Sequence, residues 1–126
     1  MKTSELTDAA LDWAVAKCAG VEVWYDDLPQ VLRKARGNEG EYAPSDRWEQ
    51  GGPIIEREGI SVMLSFRDSY AEGANAKPSG WCARKYQYGV LNEPLSHGPT
   101  PLIAAMRCYV ASKLGDEVDV PEELKC

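Results

Sequence analysis

The sequence predicts an α+β fold in which a small antiparallel β-sheet packs against two main α-helices. Apolar residues recur at helical spacing near both ends of the chain, over Thr7–Cys18 and Leu102–Leu114. Between these segments, Val21–Tyr25, Ile60–Phe66 and Trp81–Tyr88 show the composition and alternation of short strands. The 126 residues, with no internal repeat, are enough for a single domain with one core.

The first helix is expected to begin after Thr7, whose hydroxyl can accept a hydrogen bond from an otherwise unpaired backbone N–H. Asp8 places a negative charge at the positive end of the helix dipole. Gly20 is suited to end the helix. The strand Val21–Tyr25 then follows directly.

The segment between the first two strands is less regular. Val31–Arg36 fits either a strand or a helical turn, and the polar residues after it predict a loop. A turn is expected at 42–46, where Ser45 or Asp46 can cap the segment that follows. Because proline suits the first turn of a helix, Gly51-Gly52-Pro53 predicts a short helix from Pro53 to Glu58.

The clearest strand is Ile60–Phe66, which is expected to pair with Trp81–Tyr88. Its alternation places four apolar side chains on one face, those of Ile60, Val62, Leu64 and Phe66. The polar connection 67–80 is long for a compact domain, and such loops often act as lids or are disordered. Residues 89–97 are predicted to be irregular, because Pro94 is incompatible with a central strand.

The last helix is predicted over Leu102–Leu114, with Thr100 as its N-cap and Gly115 at its end. Its apolar residues run around almost the whole circumference. Such a helix is buried inside its domain or against a partner subunit. We therefore expect a homo-oligomer, most simply a dimer. The acidic segment 116–126 is expected to be an exposed tail.

Charge and composition exclude several classes of protein. The chain has 20 acidic and 14 basic residues, a net charge of −6, and 44% hydrophobic residues. This balance excludes wholesale disorder and argues against general nucleic-acid binding, which depends on Lys and Arg. No apolar run is long enough to cross a bilayer, and the polar start at Met1–Thr7 has no signal core. We expect a small acidic protein of the cytoplasm.

Cysteine and histidine spacing predicts no metal site and no cofactor. The four cysteines form no CxxC pair, none is close to the single histidine, and free thiols are expected: Cys18, Cys82, Cys108 and Cys126. His97 lies among loop-forming residues and is interpreted as an ordinary loop histidine. No nucleotide-triphosphatase loop, esterase elbow, zinc-protease or kinase motif is present. The acid pairs Asp26/Asp27 and Glu56/Glu58 are interpreted as surface charge, and we expect no enzymatic activity.

Three blocks of the sequence together resemble the NinX-like family of small proteins from tailed phages and prophages. They are MKTSELTDAALDWAVA from Met1, YAPSDRWEQGGPIIEREGI from Tyr42 and GPTPLIAAMRCYVASKLGDEVDVP from Gly98, and they cover just under half of the chain. The resemblance implies a phage origin and action in an infected bacterium. It implies no reaction, cofactor or catalytic residue, because the family is a domain of unknown function.

Candidate binding residues therefore come from the sequence itself. Two predicted helices begin with Gly-Pro, one at Gly51 and Gly52 and the other just before Thr100. Their backbone N–H groups could bind an anion, although both could be ordinary helix starts. Six aromatic residues stand on strands or loops, where a flat ring can stack on a base: Trp24, Tyr42, Trp48, Trp81, Tyr86 and Tyr88. Trp48 is flanked by polar and charged residues, and it is either a lid over the core or a platform on which a ligand stacks.

Two arginines are candidates for holding an anion. Arg107 is an isolated charge on an apolar helix, and it could pair with Glu56 or Glu58, lie at a subunit interface or face a ligand. Arg84 shares a strand face with Tyr86 and Tyr88, a pattern that also fits a solvated strand face.

We therefore hypothesise a module that binds a small anionic ligand of the nucleotide type. Trp48 or Tyr42 would stack on the base, while Gly51, Gly52 and Thr100 with Arg84 or Arg107 would hold the phosphates. The module would withdraw a host defence signal. The alternative is an effector that docks on a host protein through its acidic surface. A third and weaker hypothesis is a small nucleotide hydrolase.

Overall fold

The computed structural model of the chain describes residues 1–25, 33–34, 41–66, 78–87, 90–91 and 95–124. Within these ranges the helices are α1 (Asp8–Ala19), α2 (Trp48–Glu58) and α3 (Pro101–Leu114). The strands are β1 (Val23–Trp24), β2 (Arg33–Lys34), β3 (Ile60–Ser65), β4 (Gly80–Gln87), β5 (Val90–Leu91) and β6 (Ser96–Gly98). The predicted α+β class is confirmed.

The main sheet is antiparallel and is organised around β4. Ile60 of β3 lies opposite Lys85 of β4, and Ser65 lies opposite Gly80, which confirms the predicted pairing of these two strands. β5 and β6 pair antiparallel with β4 as well. Because β6 lies opposite residues of β4 that also pair with β3, it must lie on the other side of β4.

The prediction that Val21–Tyr25 joins the main sheet is wrong. β1 pairs with β2 instead, with Val23 opposite Lys34, and the two strands form a separate antiparallel pair. The segment 31–36, for which strand and helical turn were both open, therefore contributes a short strand. Alternating side chains predict that a strand forms but carry no information about its partner.

One further strand prediction needs correction. Residues 89–97 contain β5 and most of β6, so His97 lies in a strand; strands of two or three residues are too short to show alternation. Along the predicted strand Ile60–Phe66, Ile60 is buried, whereas Leu64 and Phe66 are 44% and 46% exposed. The apolar core covers the first half of β3 and does not extend to these two side chains.

Helix α3 occupies the centre of the fold. It packs against α1, α2, β3, β4, β6 and the N-terminal segment. Its predicted cap is confirmed, because the Ile103 N–H donates to the Thr100 hydroxyl oxygen at 3.1 Å. Seven of its residues are buried within this one chain. Its apolar circumference therefore does not require a partner subunit, and the expected dimer needs another contact surface.

Helix α2 begins five residues earlier than Gly51-Gly52-Pro53 predicts. It starts at Trp48, with Pro53 inside it, and neither Ser45 nor Asp46 is its cap. The Asp46 and Arg47 N–H groups both donate to the Ala43 carbonyl, which forms a turn that leads directly into the helix. The helix therefore starts at Trp48, directly after this turn, with Pro53 in its interior.

The two ends of the chain are paired. The Thr3 N–H donates to the Asp116 carbonyl at 2.8 Å, and the Val118 N–H donates to the Met1 carbonyl at 2.9 Å. Val118, Val120 and Leu124 are buried in the core, while the acidic residues between them are exposed. The segment after α3 is thus docked on the domain, in contrast to the predicted free tail.

Some predictions fall outside the described residues. They concern most of the connection 67–80, the loop at 37–40, the acid pair Asp26/Asp27, Pro94, Tyr88 and Cys126.

Candidate functional site

A cavity of about 1050 Å³ lies between the N-terminal segment, the sheet, α3 and the segment that follows α3. This volume slightly exceeds the roughly 300–1,000 Å³ typical of small-molecule sites. Each of these elements contributes side chains to its wall, among them Lys2, Ser4, Trp81, Lys85, Ser96, Arg107, Cys108, Ser112, Asp116 and Glu117. The wall therefore combines cations, hydroxyls, one aromatic ring and two carboxylates.

Arg107 is the cation on the helical side of the cavity. Its Nε donates to the Leu6 carbonyl oxygen at 2.9 Å, and its Nη1 donates to the His97 carbonyl oxygen at 2.8 Å. These two bonds clamp the guanidinium between the N-terminal segment and β6. Because a guanidinium has five N–H donors, three are left for a further acceptor.

The charge of Arg107 has no carboxylate partner among the described residues. The alternative in which it pairs with Glu56 or Glu58 is wrong: Glu58 binds Lys85 at 2.9 Å and Arg57 at 3.1 Å, and Glu56 is exposed on α2 and forms no ion pair with Arg107. Partial burial alone lowers the pKa of Arg107. A half-buried cation that bonds only to neutral carbonyl oxygens would be stabilised by an anion in the adjoining cavity.

Close packing of β6 on α3 fixes the backbone on this side of the cavity. A Cβ atom at Gly98 would lie 2.7 Å from the Ala104 nitrogen and 2.9 Å from Ile103 Cγ2. Only a residue without a side chain allows this approach. The His97 carbonyl that holds Arg107 is therefore positioned by the contact between Gly98 and the first turn of α3.

Trp81 supplies the aromatic surface of the cavity. It lies on β4 opposite Leu64 on one side and Gly98 on the other, and it packs partly against the core. Trp81 is half-buried and is among the residues that line the same cavity as Arg107. An aromatic ring and a guanidinium in one cavity can together stack a base and bind its phosphate.

Other polar groups of the wall are already engaged. Lys85 Nζ donates to Glu58 Oε1 at 2.9 Å, and this bond holds the pKa of Glu58 below its usual value. The Ser112 hydroxyl donates to the Tyr109 carbonyl at 2.7 Å. Burial raises the pKa of the Cys108 thiol to about 11, which favours the neutral thiol over the nucleophilic thiolate at neutral pH.

The structure does not bring the predicted aromatic platforms to this cavity. Trp48 is 56% exposed at the start of α2, so the interpretation as a lid over the core is wrong. Tyr42 is buried in the core, and burial raises the pKa of its hydroxyl. Neither ring lines the cavity.

The predicted backbone and arginine contacts are also dispersed. Gly51 and Gly52 lie inside α2, and the Gly51 N–H already donates to the Arg47 carbonyl. The Thr100 hydroxyl caps α3 and lies outside the cavity wall. Arg84 is placed by strand alternation on the opposite face of β4 from Trp81 and Lys85. Of the predicted binding residues, Arg107 alone is a described part of the cavity wall.

Sequence reasoning missed Lys2 and the strand position of His97, and it did not single out Trp81 from the other five aromatic residues. Trp81 could have been selected by its place on a strand next to Gly80, whose φ of +145° permits a close approach to the Gly98 carbonyl. Lys2 carries no such signal, since its place depends on pairing with Glu117, 115 positions further along the chain.

The described residues contain no cluster of His, Cys, Asp or Glu that could hold a metal ion. No helix among them has the length and apolar character needed to cross a membrane. The described cysteines, Cys18, Cys82 and Cys108, are free thiols.

Comparison with known proteins places the chain in a family. No curated protein matches it. The model of the family described as "Bacteriophage P22, NinX" matches residues 2–113, which is most of the sequence and confirms the resemblance noted from the three blocks. The chain therefore belongs to the phage P22 NinX family.

Proposed function

We propose that the chain is a phage accessory protein that binds a small anionic ligand of the nucleotide type in the cavity beside Arg107. The observation that carries the proposal is the guanidinium itself. It is half-buried, it is clamped by two neutral carbonyl oxygens, and it has donors left for an acceptor in the cavity.

The rest of the wall supports a nucleotide better than a simple ion. The ring of Trp81 offers a stacking surface, and Lys2 adds a second cation. Asp116 and Glu117 can accept hydrogen bonds from ribose hydroxyls or from the amino group of a base. A cavity of this volume also exceeds the needs of inorganic phosphate.

In this proposal the protein acts by sequestration in the cytoplasm of the infected cell. It would hold a host signalling nucleotide without converting it. The step from binding to counter-defence rests on the phage family of the chain, by analogy with other small phage proteins.

The test is a panel of mono-, di- and cyclic nucleotides, followed by melting temperature and tryptophan fluorescence. A ligand present at 100 times its dissociation constant stabilises a fold by about 2.7 kcal/mol. For a chain of this length that corresponds to a rise in melting temperature of roughly 10 °C. One member of the panel is expected to give this rise.

Two variants locate the site. Arg107→Met keeps the aliphatic stem but removes the guanidinium, and it should abolish the nucleotide-induced rise. Trp48→Ala is the matched control, because that ring is exposed and lies outside the cavity, and it should leave the rise intact. Each variant is compared with its own ligand-free melting temperature. A flat response of the wild type overturns the proposal and favours docking on a host protein; conversion of a nucleotide would favour a hydrolase.

A further inference from the structure

We propose that the ligand held beside Arg107 is a dinucleotide, that is, two nucleosides joined through a phosphodiester. The phosphate binds Arg107 at the middle of the cavity, one base stacks on Trp81, and the second nucleoside lies towards Asp116 and Glu117. This inference rests on the proposed function and narrows its class of ligand. It is carried by the length of the cavity, by the place of Arg107 along it and by the charges of its wall.

The cavity follows α3 over its whole length. Its wall includes Pro99, just before the helix, and Asp116, just beyond its end. At 1.5 Å per residue, the 14 residues of α3 span about 21 Å. Arg107 lies about 9 Å from the first residue of the helix and about 10 Å from the last. It therefore divides the cavity into two parts of similar length.

The part of the cavity before Arg107 is suited to one nucleoside. Gly98 and His97 are consecutive residues of β6. Gly98 lies opposite Trp81 on β4. The His97 carbonyl oxygen accepts a hydrogen bond from Arg107 Nη1 at 2.8 Å. A mononucleotide that stacks on Trp81 and binds the guanidinium would end at Arg107, and the other part of the cavity would contribute nothing to its affinity.

The part of the cavity beyond Arg107 offers hydrogen-bonding groups for a second nucleoside. It is lined by Lys2, Asp116 and Glu117, which are all exposed. Lys2 and Glu117 pair across an antiparallel bridge, and the Thr3 N–H donates to the Asp116 carbonyl at 2.8 Å. These bonds hold the two backbones side by side. The carboxylates can accept from ribose hydroxyls or a base amino group, and the ammonium group can donate to a base carbonyl.

Charge favours a phosphodiester over a polyphosphate. Lys85 is already bound to Glu58 at 2.9 Å. The other charged side chains of the described wall are two cations and two carboxylates, whose charges balance. A nucleoside triphosphate would bring several negative charges to this wall, in a protein of net charge −6, whereas each phosphodiester brings one. The donors that remain on the Arg107 guanidinium are matched to a single phosphate group.

The experiment is isothermal titration calorimetry of the full chain with a matched set of nucleotides for each base. Each set contains the 5′-monophosphate, the 5′-triphosphate, the linear dinucleotide and the cyclic dinucleotide. One dinucleotide should bind at least about tenfold more tightly than the mono- and triphosphate of its base, since a single added hydrogen bond to a charged group gives an effect of this size. Linear and cyclic forms share the two-nucleoside chemistry, and the titration shows which of them the cavity holds.

Variants beyond Arg107 locate the second nucleoside. Asp116→Ala combined with Glu117→Ala removes both carboxylates. It should weaken dinucleotide binding about tenfold and leave mononucleotide binding unchanged. Asp119→Ala is the matched control, because it removes an exposed acid from the same segment outside the cavity wall, and it should bind the dinucleotide like the wild type. The ligand-free melting temperature of each variant checks that it is folded.

The possible failures are distinguishable. A mono- or triphosphate that binds as tightly as every dinucleotide would overturn this inference and leave the proposed function standing. Unchanged dinucleotide binding by the Asp116→Ala, Glu117→Ala double variant, or an equal loss in Asp119→Ala, would also overturn it, because the second nucleoside would not lie between these carboxylates. Absence of binding by every nucleotide would overturn the proposed function as well.

Discussion

The two neighbouring glycines of α2 should respond to alanine in opposite directions. At Gly51 a Cβ atom would clash with the Pro44 carbonyl oxygen and lie 2.7 Å from Leu102 Cδ2. At Gly52 a Cβ atom would meet no atom within 4 Å. Alanine at the two adjacent positions has the same helix propensity. The difference between the variants therefore measures how closely α2 packs against α3 and against the turn before α2.

The expected magnitudes follow from two opposing effects. Alanine is favoured over glycine in a helix by about 1 kcal/mol, and this gain applies at both positions. At Gly51 it is outweighed by overpacking, which costs typically 1–3 kcal/mol and about 2–3 kcal/mol here, because the Pro44 carbonyl is backbone and cannot move aside like a flexible side chain. We expect Gly51→Ala to lose about 1–2 kcal/mol in unfolding free energy and Gly52→Ala to gain about 0.5–1 kcal/mol.

Urea unfolding and thermal melting measure both variants. With about 4 °C per kcal/mol for a chain of this length, Gly51→Ala should melt roughly 4–8 °C below the wild type, and Gly52→Ala a few degrees above it. Equal shifts of the same sign, or a neutral Gly51→Ala, would refute the close approach of Pro44 to α2. Such a result would also reopen the hypothesis that these glycines leave room for a ligand.

Two more predictions concern buried and capping groups. Burial raises the pKa of Asp12 from 3.8 to about 7, against the opposing effect of the Ser45 N–H, which donates to its carboxylate at 2.9 Å. Because the folded state binds this proton more tightly, the wild type loses stability as pH rises from about 4 to 7. Asp12→Asn keeps a hydrogen-bond acceptor but has no proton to lose. Its free energy of unfolding, measured in urea and compared with that of the wild type, should therefore increase by roughly 2–4 kcal/mol between pH 5 and pH 8. A difference that stays constant with pH would contradict the raised pKa. Thr100→Ala removes the acceptor of the Ile103 N–H and should cost about 1 kcal/mol. Its nucleotide affinity should be unchanged, and a selective loss of affinity in titration would instead return Thr100 to the binding site.

Long periodic segments and most of their ends were predictable because the signal is local. Thr7 is the exception: it stands at the N-cap of α1, but its side chain makes no capping hydrogen bond. The end of α1 at Gly20 and the cap of α3 at Thr100 follow from the residues at those positions. The pairing of β3 with β4 follows from two adjacent strand patterns. In contrast, α2 starts five residues before Pro53, directly after the turn at Ala43, and the local pattern Gly51-Gly52-Pro53 does not reveal this earlier start.

The candidate site was much less predictable, because its residues come from distant parts of the chain. Arg107 could be selected as an isolated charge on an apolar helix. Its partners are the carbonyl oxygens of Leu6 and His97, and backbone groups have no sequence signature. The polar neighbours of Trp48 suggested a lid or a ligand platform. In the structure they belong to the exposed start of a helix. The cavity depends on tertiary packing that local patterns do not encode.

The indole N–H signals of the tryptophans give the most direct test of ligand binding beside Arg107. The signals are assigned by single Trp→Phe variants and followed by heteronuclear NMR while a nucleotide that raises the melting temperature is added. We predict that the Trp81 signal moves in a saturable manner and that the Trp48 signal does not, since only Trp81 lines the cavity. A saturable shift of Trp48 with an unmoved Trp81 would contradict the account.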